Sequence, residues 1–152
     1  MPRPVKPGET GELSGSVKNL ADQIGLKMIR PSFTPNSRPA FEAAEYAREK
    51  GKFEAFHLAV FKAFWEDAKN IGLPDVLKEI AESCGLDGAE LIQALEEGRY
   101  TAVVVKQDAE AHEMGINGIP AYIVGRYFIE GAQPYSVFQK AMSLLKQHKK
   151  SE

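Results

Sequence analysis

Cysteine is nearly absent from this sequence, since Cys84 is the only one among 152 residues. One thiol cannot close an internal disulfide or supply a Cys-x-x-Cys pair, which excludes a two-cysteine redox site within these residues. Histidine is also scarce, and His57, His112 and His148 are not spaced as metal ligands with Cys84 or with one another. The sequence therefore predicts no metal site and no bound cofactor.

A strong charge of one sign and long apolar runs are lacking as well. The formal net charge is -2, which provides no general attraction to nucleic acid or to anionic lipid. No stretch approaches the roughly 18 consecutive apolar residues of a membrane span, and the start Met1-Pro2-Arg3-Pro4 lacks the apolar core of a signal peptide. These absences predict a cytoplasmic protein with neither nucleic-acid nor membrane partners.

The sequence does contain enough apolar residues for one compact unit, at 43% hydrophobic composition. Residues 1–13 hold three prolines without apolar periodicity and are predicted to form a flexible arm. Residues 14–114 carry helix signals, and residues 26–30 alternate like a strand. The expected helices span residues 14–24, 39–50, 53–68, 74–85, 87–97 and 99–114.

The helix over residues 53–68 is expected to form the centre of the helical region. Its main apolar face carries Phe53, Phe56, Val60, Phe64 and Trp65. Leu58 and Phe61 add apolar side chains elsewhere, so we expect burial over most of the helix surface. On the preceding helix, Phe41 is expected to point inward together with the alanines.

A loop with two glycines and a proline, Gly115 to Pro120, precedes the final segment. Residues 121–129, with Gly125-Arg126 as the turn, predict a β-hairpin, and Pro134 opens a closing helix. A two-stranded sheet is marginal by itself. The segment around Met28, a second copy of the chain or a separate partner could each complete it, and we favour a homodimer because bare strand edges are rare.

The order of these elements resembles the DsbA-like branch of the thioredoxin superfamily, closest to the FrnE-type disulfide oxidoreductases. The motifs that carry the resemblance are Pro35-Asn36-Ser37, Leu58 to Phe64, Gly85-Leu86-Asp87, Gly115 to Pro120 and Gly131-Ala132-Gln133-Pro134. In that family a helical insert interrupts a thioredoxin fold. The resemblance implies an α/β, mostly helical chain with an incomplete DsbA-like thioredoxin fold. Residues 14–114 are then the helical insert, and residues 115–148 are the C-terminal half of the fold.

The resemblance also implies a thiol–disulfide oxidoreductase whose catalytic cysteine pair is missing from this sequence. The family's cysteines lie at the start of the first helix of the other half of the fold, where the helix N-terminus favours the thiolate. No residue here takes a catalytic role, and the chain is expected to be a fragment or to be inactive alone. Ile119 and Pro120 are the implied substrate-binding residues. Pro120 is expected in a cis bond, with the backbone before it pairing with an extended peptide or with glutathione.

Two other functions stay open. A non-catalytic module could use the loop and the open sheet edge to hold a peptide or a subunit. A glutathione-dependent isomerase or transferase could use a serine that would also lie outside these residues. Cys84 could be a redox nucleophile, but its place before Gly85 at a helix C-terminus favours an inert side chain. His112, near a helix end, is interpreted as a surface residue rather than a base.

The purified chain is expected not to reduce a disulfide protein such as insulin in the presence of a small thiol, because Cys84 is its only thiol. The measurement is the rate of insulin reduction by the chain and by its Cys84→Ser variant. We expect the same background rate in both. Turnover that disappears in the variant would instead establish a one-cysteine oxidoreductase.

Overall fold

The computed structural model describes residues 3–4, 13 and 15–148. Contacts divide the described chain into two compact units, the first ending at Val105 and the second beginning at Lys106. Apart from residues 3, 4 and 13, the predicted flexible arm lies outside the described residues. No helix within the described ranges is long and apolar enough to cross a membrane.

The first unit combines a very short antiparallel strand pair with a group of helices. Its elements, in chain order, are β1 (Arg3–Pro4), α1 (Gly15–Gln23), β2 (Phe33–Thr34), α2 (Arg38–Glu49), α3 (Phe53–Trp65), α4 (Pro74–Ser83), α5 (Gly88–Glu96) and the start of α6 (Thr101–Glu113). The division between the two units falls inside α6, whereas the boundary expected from the sequence lay at the end of this helix.

Local signals in the sequence explain where the helices of the first unit begin. Pro39 and Pro74 lie in the first turns of α2 and α4, where the missing proline N–H costs no hydrogen bond. Asp87 caps α5, because its Oδ1 accepts hydrogen bonds from the backbone N–H groups of Ala89 and Glu90 at 2.9 and 3.0 Å. These starting points agree with the helices expected from the sequence to within a residue or two.

The core of the first unit lies where α2 packs against α3, α4 and α5. Its largest fully buried side chains are Tyr46, Phe56, Leu77 and Leu91. Helix α2 contributes mainly small side chains, including the fully buried Ala43 and Ala47. Small residues allow the neighbouring helices to approach closely, so the large side chains of α3, α4 and α5 fill the space around α2.

Polar side chains at the rim of this core connect α2 to the later helices. The Tyr46 hydroxyl donates to Glu90 Oε2 at 3.0 Å and lies 3.1 Å from the Asp87 carbonyl oxygen. Lys50 Nζ is 2.7 Å from Glu90 Oε1, and this hydrogen bond, followed by the one from Tyr46, holds the pKa of Glu90 below its usual value. The resulting network ties the α2 helix to the start of α5.

A second tyrosine makes a similar connection. The Tyr100 hydroxyl donates to Glu49 Oε2 at 2.6 Å. Burial, reinforced by this hydrogen bond, raises the pKa of Tyr100 to about 12. Burial together with the bond to Glu90 does the same for Tyr46, whose pKa is also about 12. In both cases the protonated phenol is the form that the folded helices favour.

Three expectations about the first unit are wrong. Residues 26–30 form no strand, and the Ile29 N–H instead donates to the Trp65 carbonyl at 2.7 Å. The side chain of Phe41 is 57% exposed, because the alanines around it already fill the buried face of α2. The burial of α3 is narrower than expected: Phe56, Val60 and Ala63 form its buried stripe, while Leu58 is 58% exposed and Phe61 is exposed too.

The second unit contains the end of α6, a loop, a hairpin and the closing helix α7 (Tyr135–His148). The hairpin strands are β3 (Ala121–Val124) and β4 (Tyr127–Glu130). They pair antiparallel, with Ala121 opposite Glu130 and Val124 opposite Tyr127. The α7 helix packs against β3. A mostly helical chain with a small antiparallel sheet confirms the predicted fold class.

A spectrophotometric titration of tyrosine ionisation should show Tyr46 and Tyr100 ionising near pH 12, above the usual phenol value. Because the pKa values of Tyr46 and Tyr100 are raised in the folded chain, these two phenols contribute fully to stability below pH 10. This contribution is lost as the pH rises from 10 to 12, where the unfolded chain releases its protons first. The absorbance near 295 nm and the free energy of unfolding, measured across this range, provide the check.

Two carboxylate variants distinguish the two tyrosines that ionise at high pH. Glu90→Gln should lower the pKa of Tyr46 alone, and Glu49→Gln should lower the pKa of Tyr100 alone, because each removes the charge beside one phenol. An unchanged pKa of Tyr46 in Glu90→Gln, or of Tyr100 in Glu49→Gln, would contradict the corresponding network.

Candidate functional site

The loop between α6 and β3 is held by hydrogen bonds to the end of the helix. The backbone N–H groups of Gly115 and Ile116 donate to the carbonyls of His112 and Ala111, both at 2.9 Å. The side-chain amide of Asn117 donates to the Gly115 carbonyl at 3.1 Å. These contacts close the helix end, and the next three residues, 118–120, form an exposed tip of the loop.

The tip of the loop presents an apolar side chain and a proline. The peptide bond between Ile119 and Pro120 is cis. The Ile119 side chain is 94% exposed, which is unusual for an isoleucine. The Pro120 carbonyl accepts a hydrogen bond from the Gly131 N–H at 2.8 Å, so the hairpin ladder continues into the loop. Both residues singled out in the sequence therefore lie together at the head of β3.

The register of the hairpin shows which backbone groups of β3 point outward. Hydrogen-bonded and non-hydrogen-bonded pairs alternate along an antiparallel ladder. Since Pro120 and Gly131 form a hydrogen-bonded pair, the pairs of Ala121 and of Ile123 are the non-hydrogen-bonded ones. The N–H and C=O groups of Ala121 and Ile123 thus point away from β4. Within the described part of the chain, β3 has no strand on that side.

The two faces of the hairpin differ in how well they are covered. On one face the Tyr122 ring meets the Phe138 ring of α7 edge to face, with centroids 5.0 Å apart, and Ile129 is buried. On the other face the cross-strand pair Ile123 and Phe128 is 57% and 49% exposed. A cross-strand apolar pair that is half exposed marks a surface suited to contact with another apolar surface.

The end of β4 is fixed by the Gly131-Ala132-Gln133-Pro134 turn. The Gln133 side-chain amide donates to the Glu130 carbonyl at 2.9 Å. Pro134 then precedes the first residue of α7, as its fixed φ favours. The role of Gln133 could not be assigned from the sequence, because a glutamine in a turn carries no specific hydrogen-bond signal.

Cys84 and His112 are the other candidate residues named from the sequence. Cys84 ends α4 in the first unit and packs against the helical core, with its Sγ 3.9 Å from Ser83 Oγ. His112 is on the exposed surface of α6, where its Nδ1 is 2.8 Å from the Asp108 carbonyl oxygen. No three histidine, cysteine, aspartate or glutamate side chains converge as metal ligands in the described ranges.

Helices followed by a proline loop, a hairpin and a closing helix define a protein of the thioredoxin class that carries a helical insert. Residues 2–143 match the DSBA-like thioredoxin domain, so the chain belongs to this family. The family confirms the resemblance to DsbA-like proteins that the sequence motifs indicated. The closer likeness to the FrnE type stays a prediction.

Two known proteins show how much of the family's length is present. The chain is 35% identical over 131 residues to the uncharacterized protein YwbO of Bacillus subtilis, a match that covers 84% of this chain and 66% of YwbO. The crystal structure of a probable DsbA oxidoreductase from Streptomyces coelicolor superposes with a TM-score of 0.75 at 26% identity. That match covers 83% of this chain and 56% of the Streptomyces chain. The chain thus spans less than two thirds of the length of either.

Gly125→Ala should destabilise the second unit more than Gly115→Ala. Both glycines have a positive φ, +63° and +78°, which costs about 1–2 kcal/mol for an alanine. A Cβ on Gly125 would also lie 2.7 Å from both δ carbons of Leu145, whereas a Cβ on Gly115 would meet nothing within 4 Å. The measurement is the hydrogen-exchange protection of the β4 amides in each variant.

The Gly125→Ala/Leu145→Ala double variant tests the steric part of this effect. If displacement of Leu145 causes the additional loss, the effect of Gly125→Ala in the Leu145→Ala background should fall to that of Gly115→Ala. Equal losses for the two single glycine variants would show that Leu145 does not constrain the hairpin turn.

Proposed function

We propose that this chain provides the substrate-holding part of a DsbA-type thiol–disulfide oxidoreductase, with the cysteine pair supplied from outside these residues. The observation that carries the proposal is the exposed Ile119–Pro120 tip at the head of a strand whose outer edge is unpaired in the described residues. Membership of the DSBA-like family and the probable DsbA oxidoreductase among its structural relatives support this ancestry. The single cysteine of the sequence argues against catalysis by the chain alone.

The loop tip suits an extended polypeptide better than a compact ligand. An extended chain can pair with exposed backbone groups and place alternate side chains on neighbouring apolar surface. Ile119 supplies such surface, and its side chain makes few contacts of its own. We propose that the loop tip binds the substrate. The outer edge of β3 pairs instead with a strand that completes the sheet, because unpaired edges are normally covered.

The chemistry assigned to the complete enzyme is thiol–disulfide exchange. One thiolate of the external cysteine pair attacks a substrate disulfide and forms a mixed disulfide, while the other substrate sulfur leaves as a thiolate. The second cysteine thiolate then attacks the mixed disulfide, so that the pair becomes oxidised and the substrate reduced. The reverse sequence oxidises a substrate dithiol. In either direction the part of the loop tip is to hold the substrate strand beside the reacting sulfurs.

A non-catalytic binding module is the second candidate, and the exposed pair Ile123 and Phe128 favours it. A second copy of the chain or another subunit could cover this sheet face and the free edge of β3 together. In that case the sheet face, and not the loop tip, would be the binding surface. A homodimer of this kind remains part of our proposal for the partners of the chain.

Ile119→Ser should weaken the binding of a capped seven-residue peptide with a central cysteine by about fivefold. The reason is the loss of about 1 kcal/mol of apolar contact at the loop tip. Because the Ile119 side chain is almost fully exposed, the variant should unfold at the same urea concentration as the native chain. The measurement is a titration of the 15N-labelled chain, following the amide shifts of Gly118, Ile119 and Ala121.

Phe128→Ser is the matched control, because it removes an exposed apolar side chain from the neighbouring sheet face. Peptide binding that survives Ile119→Ser but is lost in Phe128→Ser would favour the binding module. Absence of any peptide-induced shift at the loop would overturn the proposed function. Replacing the peptide by glutathione in the same titration tests the glutathione-dependent alternative.

A further inference from the structure

We propose that Glu130 selects the substrate at the loop tip, and that the preferred substrate is an extended polypeptide with a lysine or arginine beside its reacting cysteine. This inference rests on the proposed function, since it concerns what the same loop holds. It adds a substrate charge and a specificity-determining residue that the family motifs do not assign.

The register of the hairpin places the Glu130 carboxylate at the loop. Glu130 lies opposite Ala121, the residue after Pro120, and belongs to the same sheet face as Ile123 and Phe128. Its Oε1 would be 3.9 Å from a Cβ built on Gly118, which shows that the carboxylate stands beside the loop backbone. The Gln133 amide holds the Glu130 carbonyl at 2.9 Å, so the main chain that carries this carboxylate is anchored.

The Glu130 carboxylate forms no ion pair with the described residues. No described lysine, arginine or histidine nitrogen forms an ion pair with Glu130 within 4.0 Å, whereas Lys106 Nζ pairs with Glu110 at 3.6 Å. The cation of the hairpin, Arg126, lies at the turn, at the opposite end of the strands, with its guanidinium 5.5 Å from the Tyr127 ring centroid. Glu130 is thus available to a cation that a ligand brings.

The segment around the loop is poor in basic residues. Between Lys106 and Arg126 the chain contains Asp108, Glu110 and Glu113 but no lysine or arginine. Of these carboxylates, Glu110 pairs with Lys106 and Asp108 lies 3.7 Å from His112. Glu130 is the carboxylate that the structure places beside the loop, and Ile119 and the Ile123–Phe128 pair on the same hairpin provide apolar surface. A lysine suits both features, because its methylene stem packs on apolar surface and its ammonium reaches a carboxylate. Glutathione, which is anionic at neutral pH, is disfavoured by the same charges.

The test uses three versions of the capped cysteine peptide that differ at the residue before the cysteine, which is lysine, alanine or glutamate. Each is titrated into the 15N-labelled native chain, into Glu130→Gln and into Glu96→Gln. Glu96 is an exposed carboxylate of α5 in the first unit, so its variant makes the same change in net charge outside the second unit. Unchanged dispersion of the amide spectrum shows that each variant is folded.

The native chain should bind the lysine peptide about two- to fivefold more tightly than the alanine peptide, and the glutamate peptide more weakly than either. Glu130→Gln should abolish this order, Glu96→Gln should keep it, and 0.5 M salt should reduce it in the native chain. Equal binding of the three peptides, or a lysine preference that persists in Glu130→Gln, would overturn the role of Glu130 while leaving the proposed function intact. Absence of loop shifts with every peptide would overturn both.

Discussion

The hydrogen bond from the Gly131 N–H to the Pro120 carbonyl sets the register on which the rest of the second unit depends. Because side chains alternate along a strand, a slip by one residue would move every side chain of β3 to the opposite face. The observed register places Tyr122 against α7, leaves Ile123 and Phe128 exposed together, and brings Glu130 beside the loop. The surface available to a ligand is thus a direct consequence of one backbone contact at the loop.

The helical unit obeys a different constraint, which is the close approach of helices around the small side chains of α2. Ala43 and Ala47 are fully buried, so Phe56, Leu77 and Leu91 can surround this helix. The two tyrosine–glutamate contacts add directional links at its rim and keep both phenols protonated well into the alkaline range. A core that is filled from neighbouring helices leaves Phe41 and Leu58 outside it.

Each unit exposes apolar side chains, among them Phe41 and Leu58 in the first and Ile123 and Phe128 in the second. The matches cover 66% of YwbO and 56% of the Streptomyces oxidoreductase. In the proposed enzyme the external cysteine pair performs the sulfur chemistry, and the loop tip orients the substrate strand. In our proposal, the Glu130 carboxylate also gives the loop an influence on substrate choice, since electrostatic complementarity distinguishes among peptides of similar shape.

The sequence by itself determined the elements whose signals are local. Pro74 and Asp87 mark helix starts, Gly125-Arg126 marks the hairpin turn, and the motif from Gly115 to Pro120 predicts a proline loop, because these signals act through backbone geometry within a few residues. Only the tertiary structure decided which apolar residues are buried, that residues 26–30 form no strand while Ile29 bonds to the end of α3, and that Glu130 stands at the loop. Those outcomes depend on contacts between segments distant in sequence, which no local pattern encodes.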